Sequence, residues 1–177
     1  MSNDSAKSDL TSGENEDFSA RPNRVPWPPI LLVFCIFDGW ITGKLLPVVG
    51  DFSMVNHFFM GEAQVWLGRL IIAVAIGIDL WVLAIFKNHR TNIRPDRPAE
   101  ALVTSGPFAF SRNPIYVGNV MIILGFGFMK GSMWYLLLVP FLFFALEYLA
   151  IKREEAHMAA RFGQAWMSYA SRVRRWL

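Results

Sequence analysis

The chain has 177 residues, 54% of them hydrophobic and 15% aromatic, and its mean hydropathy is positive at +0.33. So apolar a composition at this length argues against a soluble globule and for a single membrane-embedded domain. One cysteine (Cys35) excludes a disulfide framework, three scattered histidines (His57, His89 and His157) give no metal-ligand spacing, and a net charge of only +3 with no basic recognition helix points away from nucleic acid.

Residues 1–28 are polar and end in the proline-dense "RPNRVPWPP". They lack the pattern of a signal peptide and are expected to be disordered to about Ser19, with Trp27 and the prolines suiting an interfacial entry into the first helix. The remainder, 29–177, reads as one integral-membrane domain. Four apolar runs follow, at 29–49, 65–86, 114–130 and 132–151. Each is near the ~20 residues that a helix needs to cross a bilayer. An all-α polytopic fold with about four transmembrane helices is the expectation. The first run is interrupted at Asp38 to Lys44, and only "KGS" (Lys130 to Ser132) separates the last two, which makes them a tight hairpin.

Charge sets an expected orientation. The segment 87–113 carries Lys87, Arg90, Arg94, Arg97 and Arg112, whereas 50–64 carries no lysine or arginine. The positive-inside rule puts the former in the cytoplasm, and four crossings put both termini there, in a bacterial inner membrane or its equivalent. The same basic face suits anionic headgroups.

Between the second and third helices lies "NIRPDRPAEALVTSGPFAFSRNP", Asn92 to Pro114, whose prolines favour loop and turn. Asn113 has the chemistry of a helix N-cap and Pro114 suits the first helical position. Tyr116 then falls on the first turn, with Arg112 just before it, where the helix N-terminus favours an anionic group. Glu147, Ile151 and Glu154 share a face at helical spacing, flanked by Glu155. The hairpin brings this group to the Arg112/Asn113/Tyr116 group, and mixed charge in one pocket suits a zwitterionic ligand. Snorkelling arginine and interfacial tyrosine are the bland alternative. The "GFG" triplet, Gly125 to Gly127, is a packing notch or a place for a ligand to approach backbone. Asp38 and Asp79 are intramembrane acids for which Lys44 and Arg69 are available partners. From Met158 on, apolar residues at Phe162, Trp166, Tyr169, Val173 and Trp176 describe an amphipathic interfacial helix, an anchor or a lid, with Gly163 as its weak point.

At "LVTSGPFAFSRNPIYVGN", "GFG" and "KREEAHMAARFGQAWMSYASRVRRW" the chain resembles the isoprenylcysteine carboxyl methyltransferase and phospholipid methyltransferase superfamily of integral-membrane enzymes. The resemblance covers Leu102 to Trp176 and implies S-adenosylmethionine as cofactor, bound within 102–177. It assigns Gly106, Pro107, Arg112, Asn113, Pro114, Tyr116, Gly118, Glu154 and Glu155 to the cofactor pocket, with Gly125 and Gly127 by resemblance to the phospholipid branch. Asn113 stands where that family usually has histidine. Arg112, Glu147 and Glu154 are the expected catalytic residues, Glu147 or Glu154 serving as base if the acceptor is a protonated phospholipid amine. An isoprenylcysteine-type carboxylate would need none. No metal is expected. A nicotinamide-dependent reductase of the sterol-reductase type and a non-catalytic lipid-organising protein are the alternatives.

Overall fold

The computed structural model describes residues 25–46, 61–88 and 102–177. The expected disordered tail and most of the basic segment 87–113 lie outside these, as does the 50–60 part of the loop. The described residues contain five α-helices and no strand: α1 (Trp27–Leu45), α2 (Gly61–Asn88), α3 (Pro114–Lys130), α4 (Met133–Leu146) and α5 (Lys152–Ala170). A 3₁₀ turn (Gly106–Ala109) precedes α3, and a π turn (Glu147–Ile151) joins α4 to α5 without a break.

The chain is an integral membrane protein. Three helical stretches are apolar and long enough to cross a bilayer, and α3 is a shorter apolar fourth. On α2, Trp66, Leu70, Val74, Leu80 and Trp81 are exposed, an arrangement that suits lipid rather than water. The portion of the α4 rod that we assign to the bilayer ends with the π turn at Ile151; beyond it Lys152 begins a polar helix.

Local chemistry explains the helix limits. α3 occupies the run expected for it, opened by Pro114 at the first position and closed by Gly131, whose left-handed conformation (φ 60°, ψ 35°) lets its N–H and that of Ser132 reach back to Phe128 and Gly127 carbonyls. The hairpin forms as expected. The first helix departs from expectation in running unbroken through Asp38 to Lys44, because the glycine there is filled from outside: Gly39 receives the Tyr135 ring of α4, whose hydroxyl donates to the Ile36 carbonyl at 3.2 Å. It stops at Leu45 instead of residue 49, since Leu46 precedes Pro47 and is kept out of helical conformation.

Two seams organise the bundle. α2 meets α3 where Gly68 and Gly125 face one another; a Cβ on either would lie within 3 Å of the other's backbone carbonyl oxygen, so both glycines are required for the approach. Gln64 Nε2 locks this seam by donating to the Phe128 carbonyl at 2.7 Å. On the other face of α3, Gly127 is filled by Leu136. α1, α3, α4 and the π turn share a core of Cys35, Ile123, Leu142, Leu146, Ala150 and Ile151. Lys44 and Arg69 do not pair with the intramembrane acids, as the sequence allowed. Each lies over a tryptophan, Lys44 on Trp40 at 4.2 Å and Arg69 on Trp66 at 4.7 Å, a geometry long side chains reach by snorkelling to the interface.

Candidate functional site

Because α3 and α4 are antiparallel, the start of α3 lies beside the π turn and the start of α5. The 3₁₀ turn opens on Gly106, which has φ 63° and is closed over by Ile85 and the Trp81 indole of α2. Pro107 is buried, and its carbonyl accepts the N–H groups of Phe110 and Ser111, curling the chain toward Arg112.

The side chains then converge. Tyr116 donates its hydroxyl to Glu154 Oε1 at 2.6 Å. Arg112 Nη1 lies 3.2 Å from Glu155 Oε1, and its guanidinium approaches the ring of the buried Trp166 at 5.9 Å. Asn113 precedes α3, yet its side chain does not cap the helix: Nδ2 donates instead to the Arg175 carbonyl at 3.0 Å. Burial pushes the Glu154 carboxyl up to about 7, with the Tyr116 hydrogen bond pulling the other way. Burial likewise pushes the Tyr169 hydroxyl up to about 12 against the charge of Arg112, and that hydroxyl donates to the Phe108 carbonyl at 2.7 Å.

The chain ends in a strap that its amphipathic pattern does not announce. The amphipathic helix ends at Ala170 and is already kinked at Gly163 (φ 50°, ψ −122°), so Val173 and Trp176 do not continue its face. Residues 171–177 instead fold back over the start of α3. Arg112 N–H donates to the Arg174 carbonyl at 2.9 Å. The Arg175 guanidinium bridges Glu155 at 2.7 Å and Glu147 at 2.9 Å, and the Trp176 indole N–H points at Glu147 from 3.3 Å while its ring stacks on Phe143 at 4.3 Å. The adjacent basic pair Arg174 and Arg175, at the end of the amphipathic stretch, was the signal available in the sequence.

The π turn corrects a second expectation. In a uniform α-helix Glu147 and Glu154, seven apart, share a face. The π turn takes up one extra residue, so the shared face passes to Glu147 and Glu155, which a single guanidinium bridges, and Glu154 is turned toward Tyr116.

The structure thus brings together Arg112, Asn113, Tyr116, Glu147, Glu154 and Glu155, with Gly106, Pro107 and Pro114 shaping the approach. Gly118 faces α2, where a Cβ would meet Asp79. Gly125 and Gly127 are deeper in α3, filled by Ile72 and Leu136. Among the described residues no group of three or more metal-ligating side chains is assembled.

A family model for phospholipid methyltransferases matches residues 63–165. The chain belongs to the phospholipid methyltransferase family. This family lies within the isoprenylcysteine/phospholipid methyltransferase superfamily. The matched region holds nearly all of α2, the turn, α3, α4 and most of α5, and so includes every site side chain except Trp166, Tyr169 and those of the strap. The chain is also 35% identical over 133 residues to the cobalt-zinc-cadmium resistance protein CzcN of Cupriavidus metallidurans. It is 30% identical over 129 residues to the nickel-cobalt-cadmium resistance protein NccN of Alcaligenes xylosoxydans xylosoxydans. These alignments take in 75% and 73% of the chain but 57% and 56% of the relatives, so the chain spans little more than half of their length. No solved structure matches.

Proposed function

We propose that the chain transfers a methyl group from S-adenosylmethionine to a lipophilic acceptor, at the end of the bundle formed by the starts of α3 and α5. The observation that carries this reading is the convergence of Arg112 and Tyr116 from one element with Glu154 and Glu155 from another, within a family of membrane methyltransferases. The residues fit a zwitterionic donor. Arg112 Nε is buried without a hydrogen-bond partner, so the centre of the site retains a donor to offer beside the Glu155 carboxylate that Arg112 pairs with.

Bound there, S-adenosylmethionine would supply a methyl group on a sulfonium, an electrophile that calls for alignment and dryness. Arg112 offers a cation to a carboxylate, Trp166 and Trp176 exclude water, and the Tyr116–Glu154 pair orients polar groups between them. Glu147 is held by Arg175 and Trp176, so the role of proton acceptor toward a phospholipid amine passes to Glu154, which near neutral pH exchanges its proton readily. An isoprenylcysteine-type carboxylate would use the same place without a base. By the positive-inside argument this end of the bundle and both termini face the cytoplasm, with the basic residues of α5 against anionic headgroups.

The test uses the purified full chain in nanodiscs with a radiolabelled methyl donor and a total lipid extract. Label should enter a lipid, and Tyr116→Phe and Arg112→Ala should each lower incorporation at least tenfold. A wild-type protein that binds no donor and labels no lipid would sink the proposal.

A further inference from the structure

Four carboxyl groups stand around the start of α3, and three are committed. Arg175 holds Glu147 and Glu155, Arg112 also holds Glu155, and Tyr116 holds Glu154. The fourth belongs to Asp79 of α2. Its Oδ1 is enclosed and has no hydrogen-bond partner, and among the described residues no ion pair reaches it. A carboxyl group nine residues inside a membrane helix is costly to keep, which makes one without a partner a candidate for function rather than packing.

Its surroundings are shaped around it. Asp79 faces Gly118, two residues past Tyr116, and a Cβ there would stand 2.6 Å from Oδ1, 3.2 Å from Cγ and 3.3 Å from Oδ2. The carboxyl therefore occupies space that only glycine leaves. One turn to either side on α2, Ala75 and Val82 are fully buried, giving the carboxyl apolar walls, and further along Trp81 and Ile85 close over Gly106. α2 thus forms a wall running from the Gly106 turn to Gly118.

We propose that Asp79 is the counter-charge for an alkylammonium group seated between α2 and the start of α3. One carboxylate with apolar walls suits a compact organic cation, whereas a divalent metal ion needs several oxygen ligands. Two sources carry that chemistry: the amino-acid end of the methyl donor and the headgroup of an amine lipid. The first rests on the methyltransferase reading above; the second does not.

The experiment compares the full chain with Asp79→Asn and Gly118→Ala in nanodiscs. One arm measures the affinity of S-adenosylhomocysteine, which keeps the donor's ammonium, by calorimetry. The other measures retention of phosphatidylethanolamine over phosphatidylcholine by native mass spectrometry. Asp79→Asn preserves shape and removes charge, and Gly118→Ala pushes the carboxyl aside. Both should weaken one arm tenfold or more, with the thermal midpoint of Asp79→Asn held within a few degrees. Loss in the first arm assigns the donor's ammonium, and loss in the second assigns the lipid's. A folded Asp79→Asn protein with both arms unchanged overturns the proposal. A wild type that binds no S-adenosylhomocysteine defeats the methyltransferase reading, and the lipid arm then decides this one alone.

Discussion

Glu154 carries its proton at a pH where an exposed glutamate has lost it, and the sign of the effect follows. Its folded-state value, about 7, lies above that of the unfolded chain, so the native state binds more protons through the interval between them. Stability is therefore greatest at the acid end of that interval and declines until pH passes about 7. Glu154→Gln should flatten this decline, raising the thermal midpoint at pH 8 more than at pH 5; an equal shift at both would contradict the assignment. Tyr116→Phe removes the bond that favours the ionised form, so the titration of Glu154, followed by infrared spectroscopy of its carboxyl band, should move upward. Arg175 was legible only as one more basic residue, because nothing in linear order ties it to Glu147, 28 positions earlier, or Glu155, 20 positions earlier. Arg175→Ala should cost about 2 kcal/mol, since it takes the bridging guanidinium from two partly buried carboxylates and leaves Glu147 with the Trp176 indole and Glu155 with Arg112, read as a drop in thermal midpoint.

At the scale of elements, α3 could be delimited from the sequence because both of its ends are marked by residues with local conformational preferences, Pro114 and Gly131. The π turn could not. Its five residues, Glu147 to Ile151, are all compatible with ordinary α-helix, so nothing in them marks a widened turn. It makes an unusual prediction about chain length. Deleting Tyr148, which is exposed, should let the turn relax to α-helix while Glu147 and Glu155 stay on one face, so donor binding should survive. Inserting one alanine after Ile151 rotates everything beyond it by about 100° and should abolish binding. Equal effects of the two changes would show that the turn sets no register. Gly125→Leu belongs to this scale too: it fills the α2–α3 approach and should lower the thermal midpoint by several degrees without altering the titration of Glu154.

For the whole molecule, membrane character, helix number and the meeting of Tyr116 with Glu154 were readable because each follows from hydropathy and from a hairpin three residues wide. The strap was not, since part of its grip is made by the Arg174 and Arg175 carbonyls, which carry no sequence signature, and the rest by Arg175 and Trp176 side chains far in sequence from the groups they hold. Ending the chain after Ser171 would leave Ser111, Asn113, Glu147 and Glu155 without those partners. The thermal midpoint should fall by roughly 5 °C or more, and S-adenosylhomocysteine affinity should fall with it. A truncated protein that binds as well as the full chain would reduce the strap to decoration.

The strap also imposes a timetable. Asn113 waits for the carbonyl of a residue 62 positions later, and Ser111 for the same carbonyl 64 positions later. At ribosomal speeds of about 5–20 residues per second that delay is on the order of 3–13 seconds. Throughout it the hairpin is being threaded into the bilayer while the mouth of the site still lacks its last wall. The nascent protein is thus a membrane protein before it is a finished binding site, and its polar mouth is solvated by water and headgroups until Arg175 arrives to replace them.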